Sequence, residues 1–480
     1  MKKKNLGQVF TPEEFVNLTL DNVGYKDGEM LNKKILEPSF GDGAFLLKII
    51  ERLLVYCIEL NYSNEQIEQQ LSCIYGIEID EELFQITQNK IKDLLLSYDL
   101  DCYEKLNLYC MDAMDFNEPV GFDFVVGNPP YVRVHNMEET IKERVRALDF
   151  IKGQADLYIV FFELGLSLLN EKGKLAYITP NSYFKNSSQK EFRNYLVKNN
   201  LLERVIDFKS HQIFKNAKTY TAITILNKSK KTEEIEVEIF NEDNYKMNIK
   251  DLNYNQEWVF LSSDKRDFIN NIFNKGDKLS SIADVQHGVV TNRDKIYIGM
   301  IEEFDSDYVY FNGVLVERGI LKVAFKASKL TYSYILFPYL YNEELCKYEV
   351  MEEEYFKETY PLAYSYLLEH KLELSLRDME DNLKWYQFAR SQGLSKMKNR
   401  KLTFKHIIKD NIDSLDVIEL DEDIVVFSGL YITAKDERNF DEIKRILSSE
   451  SFLSYSLLVG KDMQNNYKFL TGNHIKSFNY

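Results

Sequence analysis

The run Phe122-Asp123-Phe124-Val125-Val126-Gly127 leads into Asn128-Pro129-Pro130-Tyr131, and two consecutive prolines stop any strand that reaches them. The run itself is short, apolar and β-branched, the pattern of a strand buried on both faces of a parallel sheet. In open parallel sheets, ligands bind just beyond the carboxyl ends of the strands. The four residues after Gly127 therefore fall where a site is expected. The Asn128 amide oxygen accepts hydrogen bonds. Pro129 has no N–H, so its carbonyl is its one polar main-chain group. Two adjacent acceptors can hold both hydrogens of one amino group, and Tyr131 offers a flat face for a planar ring. Together they describe a site for the exocyclic amine of an aromatic base. A proline-rich turn closing a core strand is the plainer alternative.

The upstream sequence favours the site. Lys33-Lys34-Ile35-Leu36-Glu37-Pro38-Ser39-Phe40-Gly41-Asp42-Gly43-Ala44 predicts a strand, a glycine turn and the start of a helix. Gly41 and Gly43 allow a tight turn and a close approach to a ligand. The helix is expected from Ala44 to Leu54, with Leu46, Leu47, Ile50, Leu53 and Leu54 as its apolar face. The turn lacks the three spaced glycines of a dinucleotide fold, and no Gly-Lys-Ser/Thr follows. A second strand, Ile74 to Ile79, carries Glu78 and ends at Asp80; a third, Leu108 to Met111, ends at Asp112. An acid at the end of a second strand is the usual grip on a ribose diol. Each acid can equally cap the helix that follows it.

Glycine turn, acid, acid and Asn-Pro-Pro-Tyr, in that order, are more specific than any one of them. In this order the chain resembles the N6-adenine DNA methyltransferases whose cofactor motifs precede the catalytic motif and whose target recognition is C-terminal. Gly7-Gln8-Val9-Phe10-Thr11-Pro12 resembles that family's first motif. Asp156-Leu157-Tyr158 with the apolar residues after it resembles the helix beyond the catalytic loop. Gly173 to Asn181 resembles the next strand, and His211 to Ala217 with Tyr220 to Leu226 the last motif. The resemblance implies an α/β fold with a doubly wound, mostly parallel sheet, the S-adenosylmethionine-dependent methyltransferase fold, followed by a second α+β domain that recognises DNA. It implies S-adenosylmethionine as cofactor, held by Thr11, Pro12, Glu37, Pro38, Ser39, Gly41, Gly43, Glu78, Ile79, Asp112 and Asn128. Glu37 would face the methionine amino group, Glu78 the ribose hydroxyls and Asp112 the adenine amine. Asn128, Pro129, Pro130 and Tyr131 would form the catalytic loop, with Tyr131 and Phe214 stacking on the target base. In one respect the chain departs from the family: Ala113 stands where a bulky apolar residue usually follows the acid, which leaves Ile79 or another residue to pack the adenine.

The chemistry so implied is direct methyl transfer to an amine that is a weak nucleophile because its lone pair is delocalised. Hydrogen bonds to Asn128 and the Pro129 carbonyl favour a pyramidal nitrogen with a localised lone pair, and much of the acceleration comes from placement. No metal is required. The target base must leave the duplex, and aromatic contacts offset that cost by roughly 1–3 kcal/mol each.

A chain of 480 residues with 45% hydrophobic composition is ample for two cores. We expect residues 1–230 to form the cofactor-binding catalytic domain, 231–278 a linking segment and 279–480 the target-recognition domain. Cys57, Cys73, Cys102, Cys110 and Cys346 show no zinc spacing and read as free buried thiols of a reducing, cytoplasmic compartment. The stretch Leu157 to Leu169 is too short to span a bilayer and contains Glu163. A membrane is thus not expected as partner. No Asp…Glu-x-Lys constellation with a domain of its own is evident, so a fused endonuclease is not expected.

The net charge of −16 is a poor guide to nucleic acid binding, which depends on where cations cluster. Lys384, Arg390, Lys396, Lys398, Arg400, Lys401, Lys405 and Lys409 occur with no acid between them, interleaved with Trp385, Tyr386, Phe388 and Phe404. This segment reads as a DNA face, or as a solvated charged loop. The segment from Trp385 to Leu394 also resembles the recognition domains of restriction-associated adenine methylases. Ile282 to Ile298 reads as strand, glycine turn, strand; it resembles the start of such domains, and Thr291, Asn292 and Arg293 are candidate DNA contacts or turn formers. The expected partners are double-stranded DNA and, as candidates, a cognate restriction endonuclease or defence-system subunits. Alternatives left open are methylation of a protein glutamine, methylation of an RNA base, and a methyltransferase subunit that needs partners.

Overall fold

The computed structural model describes residues 11–117, 121–132, 156–209, 211–214, 220–230, 232–241, 244–254, 257–274, 276–378, 383–409, 413–463 and 467–480. The chain divides at Ser263 into two units.

The first unit is built on a nine-stranded sheet. Its strands are β1 (Ile35–Glu37), β2 (Ile74–Glu78), β3 (Asn107–Cys110), β4 (Phe122–Gly127), β5 (Leu169–Pro180), β6 (Leu202–Asp207), β7 (Thr221–Asn227), β8 (Glu234–Ile239) and β9 (Asn244–Asn248), in the order β3-β2-β1-β4-β5-β7-β6-β8-β9. Strands β3, β2, β1, β4 and β5 run parallel; β7 is antiparallel to both β5 and β6. The order reverses direction between β1 and β4, and there the ends of adjacent strands part to leave a crevice.

Alternation along the strands sends side chains to two cores. Leu36, Val125 and Leu175 join one; Ile35, Phe124, Val126, Ala176 and Ile178 join the other. The second core is covered by helices α1 (Glu13–Val23), α2 (Ala44–Glu59) and α4 (Glu81–Leu96), with α3 (Asn64–Leu71) beside them. Helix α5 (Leu157–Leu168) covers the first, burying Leu157 to Phe162 almost without interruption, and α6 (Lys190–Lys198) adds Phe192 and Leu196. The doubly wound α/β reading therefore holds. Helix α2 runs five residues past the predicted end. It buries Phe45 and Ile49 as well as Leu46, Ile50, Leu53 and Leu54, whereas Leu47 is only half-buried.

The segment read as a linker is in part structural. Glu234–Ile239 alternates apolar with acidic residues, pairs in parallel with β6 and buries Ile235, Val237 and Ile239 in the main core, together with Trp258. Alternating apolar residues announce a half-buried strand; they do not announce which sheet will take it. Among the cysteines, Cys57 and Cys102 are buried, Cys73 is half-buried and Cys110 and Cys346 are exposed, so the expectation of buried thiols holds only in part. No described helix is long and apolar enough to cross a membrane.

The second unit is α+β. One four-stranded sheet takes the order Ala283–His287, Leu430–Ala434, Lys401–Thr403, Ile418–Leu420; another takes Ile298–Gly299, Thr331–Leu336, Leu321–Lys326, Val425–Phe427. Helix Pro361–Glu369 packs against Val314–Glu317 of a three-stranded sheet, and Phe440–Leu447 packs against Leu430–Ala434 and against helix Glu450–Val459. Where a second strand was expected near Ile298, the chain first makes a helical turn, Asp294–Tyr297. Thr291 starts that turn: its hydroxyl accepts the Arg293 N–H and donates to Asp294. Arg377, itself buried, gathers the carbonyls of Thr291, Leu374, Trp385 and Gln387.

Lys401 is fully buried, its Nζ donating to the carbonyls of Asp421 and Glu422. Burial pushes its pKa down to about 7, against the pull of Asp423, Glu422 and Asp421. Since the unfolded side chain titrates near 10.4, the unfolded chain holds a proton the folded one has released between these values. Stability conferred through this site then rises with pH across that window. Lys401→Met removes the effect. The difference in urea-unfolding free energy between native chain and variant is expected to change between pH 7 and 10 with a slope approaching ~1.4 kcal/mol per pH unit.

At the glycine turn, Gly43 has φ 86°, and a Cβ there would lie 2.6 Å from Thr87 Cγ2. Gly43→Ala meets both the left-handed penalty and a clash, and is expected to lower unfolding free energy by about 1–3 kcal/mol. Urea titration of the variant reads it directly.

Candidate active site

Three strand ends meet at the switch point. β1 pairs with β2 on one side, bringing Glu37 opposite Gly76, and with β4 on the other, with Leu36 opposite Val125. Glu37, Glu78 and Asn128 thus reach the same end of the sheet, and all three line one cleft with Thr11, Ser39, Phe40, Gly41, Asp42, Ala44, Phe45 and Pro130. The cleft is narrow, its enclosed volume about 40 Å³, and it opens to solvent.

The glycine turn is held from two sides. Gly41 N donates to Glu78 Oε2 at 2.8 Å, and Phe40 N to the carbonyl of Ile77. From α4, the Thr87 hydroxyl donates to the Gly41 carbonyl at 3.0 Å and Lys90 Nζ to that of Asp42 at 2.8 Å. The other oxygen of Glu78 accepts the Asp80 N–H at 2.8 Å. Burial raises the Glu78 pKa, and the N–H groups of Asp80, Gly41 and Ile79 oppose that shift. Glu78 is therefore no helix cap, whereas Asp80 caps α4 through the N–H groups of Glu82 and Leu83. Asp112 caps the short turn Ala113–Asp115 through Met114 N. Ile79, just beyond β2, is 57% exposed.

Glu37 is buried. Its carboxylate receives the Leu46 N–H in the first turn of α2, and its Oε2 has no hydrogen-bond partner among the described residues. Burial above all, and then the charges of Asp42 and Glu78, push its pKa well above the usual carboxylate range. A Cβ placed on Gly127 would touch Glu37 Cγ at 3.5 Å, which locates Glu37 directly beside the entry to the proline loop.

In that loop Asn128 Nδ2 donates to Thr11 Oγ1 at 3.0 Å, Pro129 is buried and Pro130 half-buried. The Tyr131 hydroxyl donates to the Ile178 carbonyl at 3.2 Å. Its ring meets Tyr158 at 6.4 Å and Phe214 at 6.1 Å, both edge to face. Phe214 is 1% exposed, so it stands beside Tyr131 as predicted but packs against it instead of offering an open face. Gly7 to Phe10 and Lys215 to Ala217, quoted above for the first and last motifs, lie outside the described residues. Sequence reading includes Phe40 and Asp42 only as parts of the glycine turn, and does not single out Ala44 and Phe45, which follow it, as cleft residues. It also missed Thr87 and Lys90, whose signal was a polar pair three apart on the inner side of α4.

The predicted DNA residues of the second unit fare differently. Tyr386, Phe388 and Phe404 are core residues, and Trp385 is half-buried with its Nε1 on Glu353. Thr291 is buried in its turn, and Lys401 has no exposed surface. Asn292 donates to the Asp378 carbonyl, and Arg293 pairs with Glu373 at 2.7 Å. Lys384 pairs with Glu352, Arg390 with Asp378, Lys396 with Asp284, Lys398 with Glu343 and Arg400 with Glu419 and Glu437. The acids in these pairs come from elsewhere in the sequence, which a local window cannot reveal. Lys405 and Lys409 remain exposed around a cleft with Tyr467 and Asp416. Among the described residues no cluster of His, Cys, Asp and Glu could hold a metal.

Residues 72–214 match the model of the Eco57I restriction-modification methylase family. The chain is 35% identical over 233 residues to the Type II methyltransferase M.BstVI of Geobacillus stearothermophilus, covering 46% of this chain and 42% of that protein. It is 25% identical over 482 residues to the Type II restriction enzyme and methyltransferase RM.Eco57I of Escherichia coli, covering 80% and 47%. The chain thus spans about half the length of these curated relatives. In fold it is similar to the Type IIL restriction-modification enzyme MmeI, solved in complex with DNA, with a TM-score of 0.60 at 13% identity over 96% of this chain and 64% of that one. Over residues 72–214 the chain is thus similar in sequence to the Eco57I restriction-modification methylases, and over most of its length it is similar in fold to a restriction-modification enzyme.

Proposed function

We propose that the chain transfers a methyl group from S-adenosylmethionine to the N6 amine of an adenine flipped out of duplex DNA, as the modification activity of a restriction-modification system. The observation that carries this reading is the convergence of Glu37, Glu78 and the Asn-Pro-Pro-Tyr loop on one cleft at the switch point.

The cleft fits the cofactor. An unpartnered, buried carboxylate oxygen on Glu37 suits an ammonium group. Glu78, fixed at the end of β2, lies where a ribose diol is gripped, and the exposed Ile79 next to it suits an adenine face. The glycine turn brings backbone rather than side chains to the ligand. Bound there, S-adenosylmethionine supplies an electrophilic sulfonium methyl. The chain's own task is to present the nucleophile. The Asn128 oxygen and the Pro129 carbonyl take the two amine hydrogens, which turns the nitrogen lone pair out of the ring plane and toward the cleft. Tyr131, tethered to Ile178, sets the plane of the base. The acceleration is largely one of placement in a partly desolvated site. The DNA contacts of the second unit, and any endonuclease partner, belong to the same proposal. Its support is that the relatives are restriction-modification methylases by name.

Incubating the chain with labelled S-adenosylmethionine and unmodified duplex DNA, then digesting the DNA for mass analysis, is expected to yield N6-methyladenine. Label on cytosine, on RNA or on protein would overturn the substrate. Asn128→Ala is expected to lower the transfer rate about 100-fold or more, with cofactor affinity held within about threefold. Equilibrium binding and single-turnover rates separate the two.

Glu37→Gln is expected to act in two opposite directions. Its carboxyl has a raised pKa in the fold, so between about pH 4.3 and that raised value the folded chain binds the extra proton, and stability falls as pH rises. Without cofactor, the variant should therefore melt higher than the native chain at pH 8 and no higher at pH 4. Cofactor affinity should fall roughly 10–100-fold, the loss of a charge-assisted hydrogen bond. Calorimetric titration and thermal scans at the two pH values check both.

A further inference from the structure

We propose that Thr11 is a positioning residue for methyl transfer, holding the Asn128 amide so that its oxygen is the end presented to the target amine; this rests on the reading of Asn128 given above. The resemblance assigns Thr11 to the cofactor alone. The structure places its hydroxyl oxygen 3.0 Å from Asn128 Nδ2, across 117 residues of chain. The two ends of an asparagine amide have the same shape but opposite hydrogen-bonding sense. With Nδ2 spent on Thr11, the oxygen faces the position that needs an acceptor. A half-turn of the amide would aim N–H groups at an amine that must donate its own hydrogens and keep its lone pair free.

Thr11 can hold the amide because it is itself held. It is buried, and the proline after it restricts it to extended backbone. The Pro12 carbonyl receives the N–H groups of Phe15 and Val16, fixing the start of α1. In the next turn Glu13 pairs with Lys48 of α2 at 2.5 Å, and α1 lies against β4, β5 and β7. A β-branched side chain on such a support has little χ1 freedom. The catalytic loop is thus braced by a segment far upstream in sequence, on a rigid element.

The test compares Thr11→Val, which keeps the shape and removes the hydroxyl, with Thr11→Ser, which restores it. Single-turnover transfer at saturating S-adenosylmethionine is expected to fall about tenfold in Thr11→Val, the effect of one lost hydrogen bond, and to recover to within about threefold in Thr11→Ser. Cofactor Kd and DNA KM are expected to stay near the native values. Unchanged transfer in Thr11→Val overturns the proposal. So does a raised cofactor Kd with unchanged saturated rate, which would leave Thr11 to the cofactor alone, and so does a failure of Thr11→Ser to rescue. A second readout does not depend on activity. With 15N-asparagine labelling, the side-chain amide protons of Asn128, assigned by their loss in Asn128→Ala, are expected to exchange slowly in the native chain and in Thr11→Ser and fast in Thr11→Val. No such difference overturns the contact. Absence of any adenine methylation by the native chain would instead defeat the function proposed above.

Discussion

The Glu78 carboxylate accepts the Gly41 N–H with one oxygen and the Asp80 N–H with the other. Through these two bonds a single side chain at the end of β2 fixes the glycine turn after β1 and the entry to α4. Everything at the switch point follows from that arrangement. The turn is held open by Thr87 and Lys90 behind it, so α2 starts where its first N–H groups face the cleft. The cleft is bounded on the far side by the loop after β4, a strand that ends at Gly127, one residue before Asn128. An acid in this position serves as architecture as much as recognition, and its buried, raised pKa is the cost of that position.

Glu37 shows the opposite balance. It gives α2 one acceptor and keeps the other without a described partner, in surroundings that already hold Asp42 and Glu78. A fold selected for stability alone would place an apolar or amide side chain there. Three acids crowded on one small cleft favour a proton on Glu37 or a cationic ligand beside it, and binding such a ligand couples to proton release from Glu37.

Much of this was legible before any coordinates. The strand before the glycine turn, the strand that carries Glu78, the strand that leads into Asn128 and the helix from Ala44 follow from local signals: apolar runs, glycines at a turn, prolines that stop a strand. What escaped was non-local. Ile235, Val237 and Ile239 announced a strand but not its place next to β6. The cations from Lys384 to Arg400 looked free because their acids, Glu352, Asp378, Asp284, Glu343 and Glu419, are brought in by the fold. Tyr386 and Phe388 read as part of a DNA face because aromatic residues in a core and on a binding face are the same letters. Periodicity separates them only in long regular elements, and residues 384–400 form none.

Tyr131 and Phe214 touch edge to face at 6.1 Å, and that contact has a consequence for timing. No slot one base thick lies between the rings as they stand, so on the function proposed above a purine brought to Asn128 would have to part or flank them. Such a step would make the aromatic pair a checkpoint. The rate at which the pair yields would then cap turnover however fast the methyl moves, and smaller side chains at position 214 would trade fidelity for speed.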